Sequence, residues 1–203
     1  KLVIDALVSY RQQEMAKREL QTQNAIRDNA DAVYEQSNGA VLGNPNGKVT
    51  IVEFIDYQCK HCKNMHPVLK NVMNSDEEVR VIVKELPIFG GTSLYAAKAA
   101  LAAIKQGKFD ALHAEIIKLE MPLTEEKVLT AAKDVGLNLK KLKRDIQSDD
   151  IDQILKANFD LSQKLRIMGT PAFIVGTANG ESFFIPGATD ENKLRELIAK
   201  IKG

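Results

Sequence analysis

The sequence predicts an α/β protein: one mixed sheet, interrupted by a block of helices and preceded by a helical arm. Three observations predict it. Val49 to Ile55 and Val79 to Glu85 are near-continuous β-branched runs, the mark of strands buried on both faces. From Ser93 to Leu165 the pattern is helical throughout. Pro171 to Val175 and Ser182 to Ile185 then form a strand pair around an Asn179-Gly180 turn, closed by a helix over Asp190 to Ile201.

The arm opens apolar, from Leu2 to Val8, and turns polar from Arg11 to Asp31. No Pro or Gly interrupts it before Gly39, which predicts a long helix or a helix pair. Ile4, Val8, Met15, Ile26 and Val33 fall roughly on one stripe, but Arg11, Arg18 and Thr22 break it, so it is a poor heptad for a long coiled coil. Asn44-Pro45-Asn46-Gly47 signals a turn before the first strand. A helix from about Cys59 to Met73 follows that strand, with Pro67 expected to kink it. Pro87 and Gly90-Gly91 end the second strand. The Ala-rich stretch 94–104, interrupted by Lys98, reads as a buried amphipathic helix, and Thr124 and Asn138 as helix caps. Strand–helix–strand makes a right-handed parallel crossover, and the later hairpin with its helix can share the same sheet. The result is a thioredoxin-like fold with a helical insertion at about 92–166, in a domain spanning 38–203 behind an arm of 1–37.

Composition narrows the function. At 203 residues and 44% apolar content, a core is easily built. Basic and acidic residues nearly cancel, 28 against 27, so a phosphate-tracking surface is not indicated and no nucleic acid is expected as a partner. Tryptophan is absent and aromatics are only 5%, which argues against base-stacking or sugar platforms. No apolar run approaches the ~20 residues that span a bilayer. No phosphate loop, serine-hydrolase elbow or paired-carboxylate site is present.

The two cysteines lie in one stretch, Cys59-Lys60-His61-Cys62, where a strand meets a helix. They are too close to staple distant parts of the fold. On a helix's first turn such a pair forms one reducible disulfide. Free N–H groups and the helix dipole favour a thiolate at Cys59, and Lys60 and His61 add positive charge, so Cys59 is the expected nucleophile. Cys62, one turn in, is the expected resolving thiol. The competing reading is a zinc half-site built from Cys59, His61, Cys62 and His66. Glu53 interrupts an apolar strand six residues before Cys59; a carboxylate there suits a proton acceptor for Cys62, or else an ion pair with Lys84. Thr170-Pro171 opens a later strand, where a cis bond makes a corner and exposes a backbone edge for an extended substrate. His113 reads as structural. Met65 and Met168 are candidates for an adaptable peptide groove, at least one of them as readily core.

Val52 to Cys62, Lys84 to Gly90, Ala96-Ala97-Lys98-Ala99-Ala100 and Gly169 to Val175 together resemble the DsbA-like family of bacterial disulfide oxidoreductases, from about Val41 to the C-terminus. The resemblance implies a thioredoxin fold and a periplasmic destination, in a mature form that has lost its signal peptide. It also implies Cys59 as nucleophile, Cys62 as resolver, Glu53 as buried acid and Pro171 in cis. Lys60 and Thr170 are the expected substrate-side residues. No cofactor beyond the Cys59–Cys62 disulfide is implied, and no metal. Unfolded or misoxidised proteins are the expected substrates, with a membrane redox partner recharging the dithiol. Lys60-His61 stands where the best-known oxidases carry Pro-His, and Thr170 is more typical of isomerases, so the net direction stays open. The arm is similar in position to arms that oligomerise isomerases, implying a homo-oligomer, dimer or trimer, through residues 1–37. The rival functions are a zinc- or copper-handling protein and a holdase-like chaperone.

Overall fold

The computed structural model describes residues 2–35 and 40–203, with the side chains of residues 2–6 and 8 outside the description. Its helices and strands run α1 (Leu2–Asp28), α2 (Ala30–Tyr34), β1 (Val41–Gly43), β2 (Val49–Ile55), α3 (Lys60–Ser75), β3 (Val79–Glu85), α4 (Gly91–Ile104), α5 (Phe109–Ile116), α6 (Glu125–Asp134), α7 (Leu139–Asp145), α8 (Asp149–Lys164), β4 (Ala172–Gly176), β5 (Ser182–Pro186) and α9 (Glu191–Lys202). The strands form one sheet in the order β1-β3-β2-β4-β5. β2 and β3 are parallel, joined through α3, and every other pairing is antiparallel. β1 was not anticipated; three residues are too few to show a strand period.

Every residue of β2 is buried because both sheet faces are covered. Ile51, Ile55, Val81, Val83 and Phe173 pack on one face with residues of α3, α4 and α9. Val52, Phe54, Ile82 and Ile174 pack on the other with Ile26, Val33, Tyr34, Leu161 and Leu165. This alternation decides which charged residues of the central strands can meet.

The block between β3 and β4 is the expected helical insertion. α4 at its centre buries Ala96, Ala97, Ala99, Ala100, Ala102 and Ala103, whose small side chains let neighbouring helices close in. Lys98 pairs with Asp152 of α8. Thr124, Asn138 and Asp190 each accept a backbone N–H three residues on, from Lys127, Lys141 and Lys193. The cysteine helix continues through Pro67 to Ser75.

The arm is a helix pair whose second half belongs to the domain. Ile26, Val33 and Tyr34 are core residues. Arg166 donates to Gln21 at 2.6 Å, the Tyr34 and Ser182 hydroxyls lie 2.6 Å apart, and Lys84 Nζ donates to the carbonyls of Ala32 and Glu35 at 3.0 Å each. A Cβ at Gly176 would stand 2.6 Å from Tyr34 Oη, so the arm's close approach there requires glycine. Along the expected stripe, Ile26 and Val33 are buried while Met15 is 70% exposed. The side chains of Leu2, Ile4 and Val8, and the expected boundary at residue 37, lie outside the described residues.

Candidate active site

The β2–α3 junction is held by a short polar turn. Cys59 N–H donates to Asp56 O (3.0 Å), and the buried Asp56 carboxylate accepts from Gln58 N–H, Phe89 N–H and the Ser93 hydroxyl. Cys59 is the N-cap of α3, with φ −74° and ψ 114°, so the helix begins at Lys60, one residue later than the sequence suggested. Its carbonyl accepts from Lys63 N–H at 3.1 Å, the first intrahelical bond.

Cys59 Sγ donates to Thr170 O at 3.2 Å. The Thr170–Pro171 peptide is cis, as is Met121–Pro122. Thr170 Oγ1 is buried without a hydrogen-bond partner among the described residues. Both cysteines are free thiols; Cys59 is 6% exposed and Cys62 is fully buried. Burial pushes the Cys62 thiol well above its ordinary range, opposed by a backbone contact with Asp56 and reinforced by nearby Glu53 and Cys59. Lys60 and His61 are exposed on the first turn of α3. Lys63 reaches across to cap the end of α5, donating to Ile117 O and Leu119 O at 3.0 and 2.9 Å.

Glu53 is 1% exposed, and its Oε1 has no hydrogen-bond partner among the described residues. Burial raises this carboxyl to about 8. The alternative of a Glu53–Lys84 ion pair does not form, for a geometric reason. Glu53 lies opposite Val83 in register, so Lys84 projects to the other sheet face, where it holds the arm. Burial lowers the Lys84 ammonium to about 8, with Glu35 opposing.

His66 turns toward His113, their ring centroids 5.4 Å apart. No group of three His, Cys, Asp or Glu side chains placed to hold one metal ion occurs among the described residues. The two methionines divide: Met65 is core at 2% exposure, whereas Met168 is 97% exposed beside Gly169.

Sequence reasoning missed a second buried polar group next to the first. The Tyr57 hydroxyl lies 2.8 Å from Glu85 Oε1 and 2.9 Å from His113 Nδ1, and all three residues are at most 1% exposed. Burial pushes the Glu85 carboxyl well up, its bond to Tyr57 opposes this, and the acids Asp56 and Glu53 push it higher. Burial, then Glu85 and Glu53, raises the Tyr57 phenol. Burial, then His66, lowers His113 to about 3. One signal was available: Glu85 ends an apolar strand much as Glu53 interrupts one.

A dithiol at a helix N-terminus, facing the backbone before a cis-proline on a mixed sheet, defines the thioredoxin-fold class of proteins. A family model described as thioredoxin matches residues 35–199. A thioredoxin-like oxidoreductase from Silicibacter pomeroyi superposes with TM-score 0.79 at 35% identity, over 85% of this chain and 96% of that one. The catalytic domain of Proteus mirabilis ScsC gives TM-score 0.77 at 31% identity, over 88% and 97%. A probable disulfide bond formation protein D from Bacillus cereus is 27% identical over 165 residues, 75% of this chain and 76% of its own. This chain belongs to the thioredoxin family, among its DsbA-like members, and is a thiol–disulfide oxidoreductase.

Proposed function

We propose that this enzyme exchanges disulfides in exported proteins, with Cys59 attacking, Cys62 resolving and Thr170–Pro171 holding the substrate. The observation that carries the reading is the 3.2 Å contact between Cys59 Sγ and Thr170 O. It places the outer thiol beside a backbone acceptor that an extended peptide can use in β fashion. Lys60 and His61, which follow Cys59 directly, are exposed.

In the first step Cys59 sulfur bonds to one substrate sulfur and the other leaves as a thiolate. In the second, Cys62 sulfur attacks Cys59 sulfur, the Cys59–substrate bond breaks, and Glu53 takes the Cys62 proton. Run backwards, the same steps donate a disulfide to a reduced substrate. Glu53 suits this work: it shares the inner sheet face with the cysteine helix, and its charge is felt at Cys62. Substrates with disulfides belong to an oxidising compartment, so the enzyme works in the bacterial periplasm, its dithiol recharged by a membrane redox partner.

The arm, residues 1–37 in the proposed division, joins copies of the chain. Met15 lies about three helical turns before Ile26 on the same face. That face buries Ile26 against the sheet, yet leaves Met15 uncovered, so a second copy is the occupant expected there. Several dithiols around one cleft would hold a misoxidised substrate at raised effective concentration, which favours isomerisation.

The test is to measure oxidation of a reduced protein and rescue of a scrambled one, on the full chain and on a chain lacking residues 1–18. That cut spares Gln21, Ile26, Val33 and Tyr34, which pack on the domain. The expected result is a monomer by light scattering that still exchanges disulfides but isomerises ~10-fold less efficiently. A monomeric full-length chain, or undiminished isomerisation after truncation, contradicts the oligomer.

A further inference from the structure

Glu85 ends β3 opposite Ile55, on the sheet face that carries Glu53. It is fully buried, its backbone carbonyl held by Asn158 Nδ2 at 3.1 Å. Among the described residues no cation donates to its carboxyl; Lys84, its neighbour in sequence, serves the opposite face. The titratable groups around it are Glu53 on β2, Asp56 and Tyr57 in the cysteine turn, and His113 on α5 with His66 of α3 behind. Its Oε2 has no hydrogen-bond partner among the described residues.

Tyr57 sits between Oε1 of Glu85 and Nδ1 of His113 with only one hydroxyl proton to give. Three arrangements satisfy both contacts; one, with the proton on Oε2 and His113 donating from Nδ1, buries an O–H that has no acceptor among the described residues, which leaves two. With Glu85 ionised, the phenol donates to the carboxylate and His113 must donate from Nδ1. With Glu85 protonated, its O–H donates to the phenol oxygen, the phenol donates to Nδ1, and His113 carries its proton on Nε2. The first arrangement leaves an anion in the core, without a cation, beside two further acids. The second leaves three neutral groups, with one donor meeting one acceptor at each of the two contacts.

We propose that Glu85 is a positioning residue: a protonated carboxylic acid heading a one-way chain to Tyr57 and His113 that fixes the turn carrying Cys59 and keeps a second charge away from Glu53. Tyr57 is two residues from Cys59, so anchoring its ring in the core holds the backbone that sets the thiol against Thr170. The charge argument rests on the reading of Glu53 as the proton acceptor for Cys62. An ionised Glu85 would make Glu53 cling to its proton, and an acceptor that is already protonated cannot take another.

The test pairs two readouts on the full chain. Nitrogen-15 NMR of His113 at neutral pH should show Nδ1 bare and Nε2 protonated, in wild type and in Glu85→Gln, whose amide can donate to Tyr57 as the acid does. A protonated Nδ1 in wild type overturns the proposal. Mixed-disulfide resolution followed against pH should have a midpoint that Glu85→Gln moves by less than ~0.3 pH units. A fall of about one unit or more overturns it, because that would reveal a charge removed from beside Glu53. Glu53→Gln separates the two ideas. If it leaves the resolution profile unchanged, the role of Glu53 fails, and the His113 tautomer still decides whether the chain runs from Glu85 through Tyr57 to His113.

Discussion

Cys59→Ser is expected to lower turnover of disulfide substrates by on the order of 10³-fold or more, whereas Cys62→Ser should still attack but accumulate enzyme–substrate mixed disulfides. The asymmetry follows from where the sulfurs lie. Cys59 sits at the N-cap, its sulfur against the backbone edge at Thr170, while Cys62 is sealed inside. Of the two, only Cys59 keeps any exposed surface, so it is the one a substrate meets first. Non-reducing gels after mixing each variant with scrambled ribonuclease, with the adducts counted, check this. Normal turnover by Cys62→Ser, with nothing trapped, would remove its resolving role.

Glu53→Gln is expected to stabilise the protein and slow it. A carboxyl with an unfolded value near 4.5 and a folded value of about 8 costs nothing in acid, where both states are protonated. As pH rises through that window the unfolded chain releases the proton and the folded one keeps it, so stability is lost steadily and the loss levels off above about 8. At about 1.4 kcal/mol per pH unit, the stabilisation gained by removing the group is bounded at roughly 5 kcal/mol on the alkaline side. Urea unfolding near pH 5 and near pH 8.5 should therefore show a small gain at the first and a large one at the second. Resolution of the mixed disulfide should slow by ~10²-fold, the scale of a lost proton acceptor, while its formation changes little. In wild type that step should quicken with pH up to about 8, as Glu53 ionises. An equal gain in stability at both pH values, or equal slowing of both steps, counts against Glu53 as a buried acceptor.

What could be read in the sequence was local. The strands at Val49 and Val79, the caps Thr124 and Asn138, the cysteine pair and the Thr170-Pro171 corner each depend on a few neighbouring residues, and each lies where expected. Glu53 stood out because a charge interrupts an apolar run. Its failure to meet Lys84 follows from period-two geometry, but only once Val83 is known to lie opposite. Glu85 carried less signal, since a charged residue at a strand end is ordinarily solvated. Only the fold brings α5 and α8 over it, and His113 is 56 residues from Tyr57 in the chain. The arm shows the same limit. Met15 and Ile26 are equivalent on the stripe, and nothing local says that the sheet ends between them.

The division of labour between the two thiols is tested most directly by partial alkylation. Reduced, full-length protein is treated briefly with substoichiometric iodoacetamide, quenched, and mapped by peptide mass spectrometry with Cys59 and Cys62 separated by fragmentation. Label on Cys59, with Cys62 unmodified until the protein is unfolded, is the result predicted by one sulfur at the helix N-cap and one in the core. Label appearing first, or equally fast, on Cys62 would contradict it.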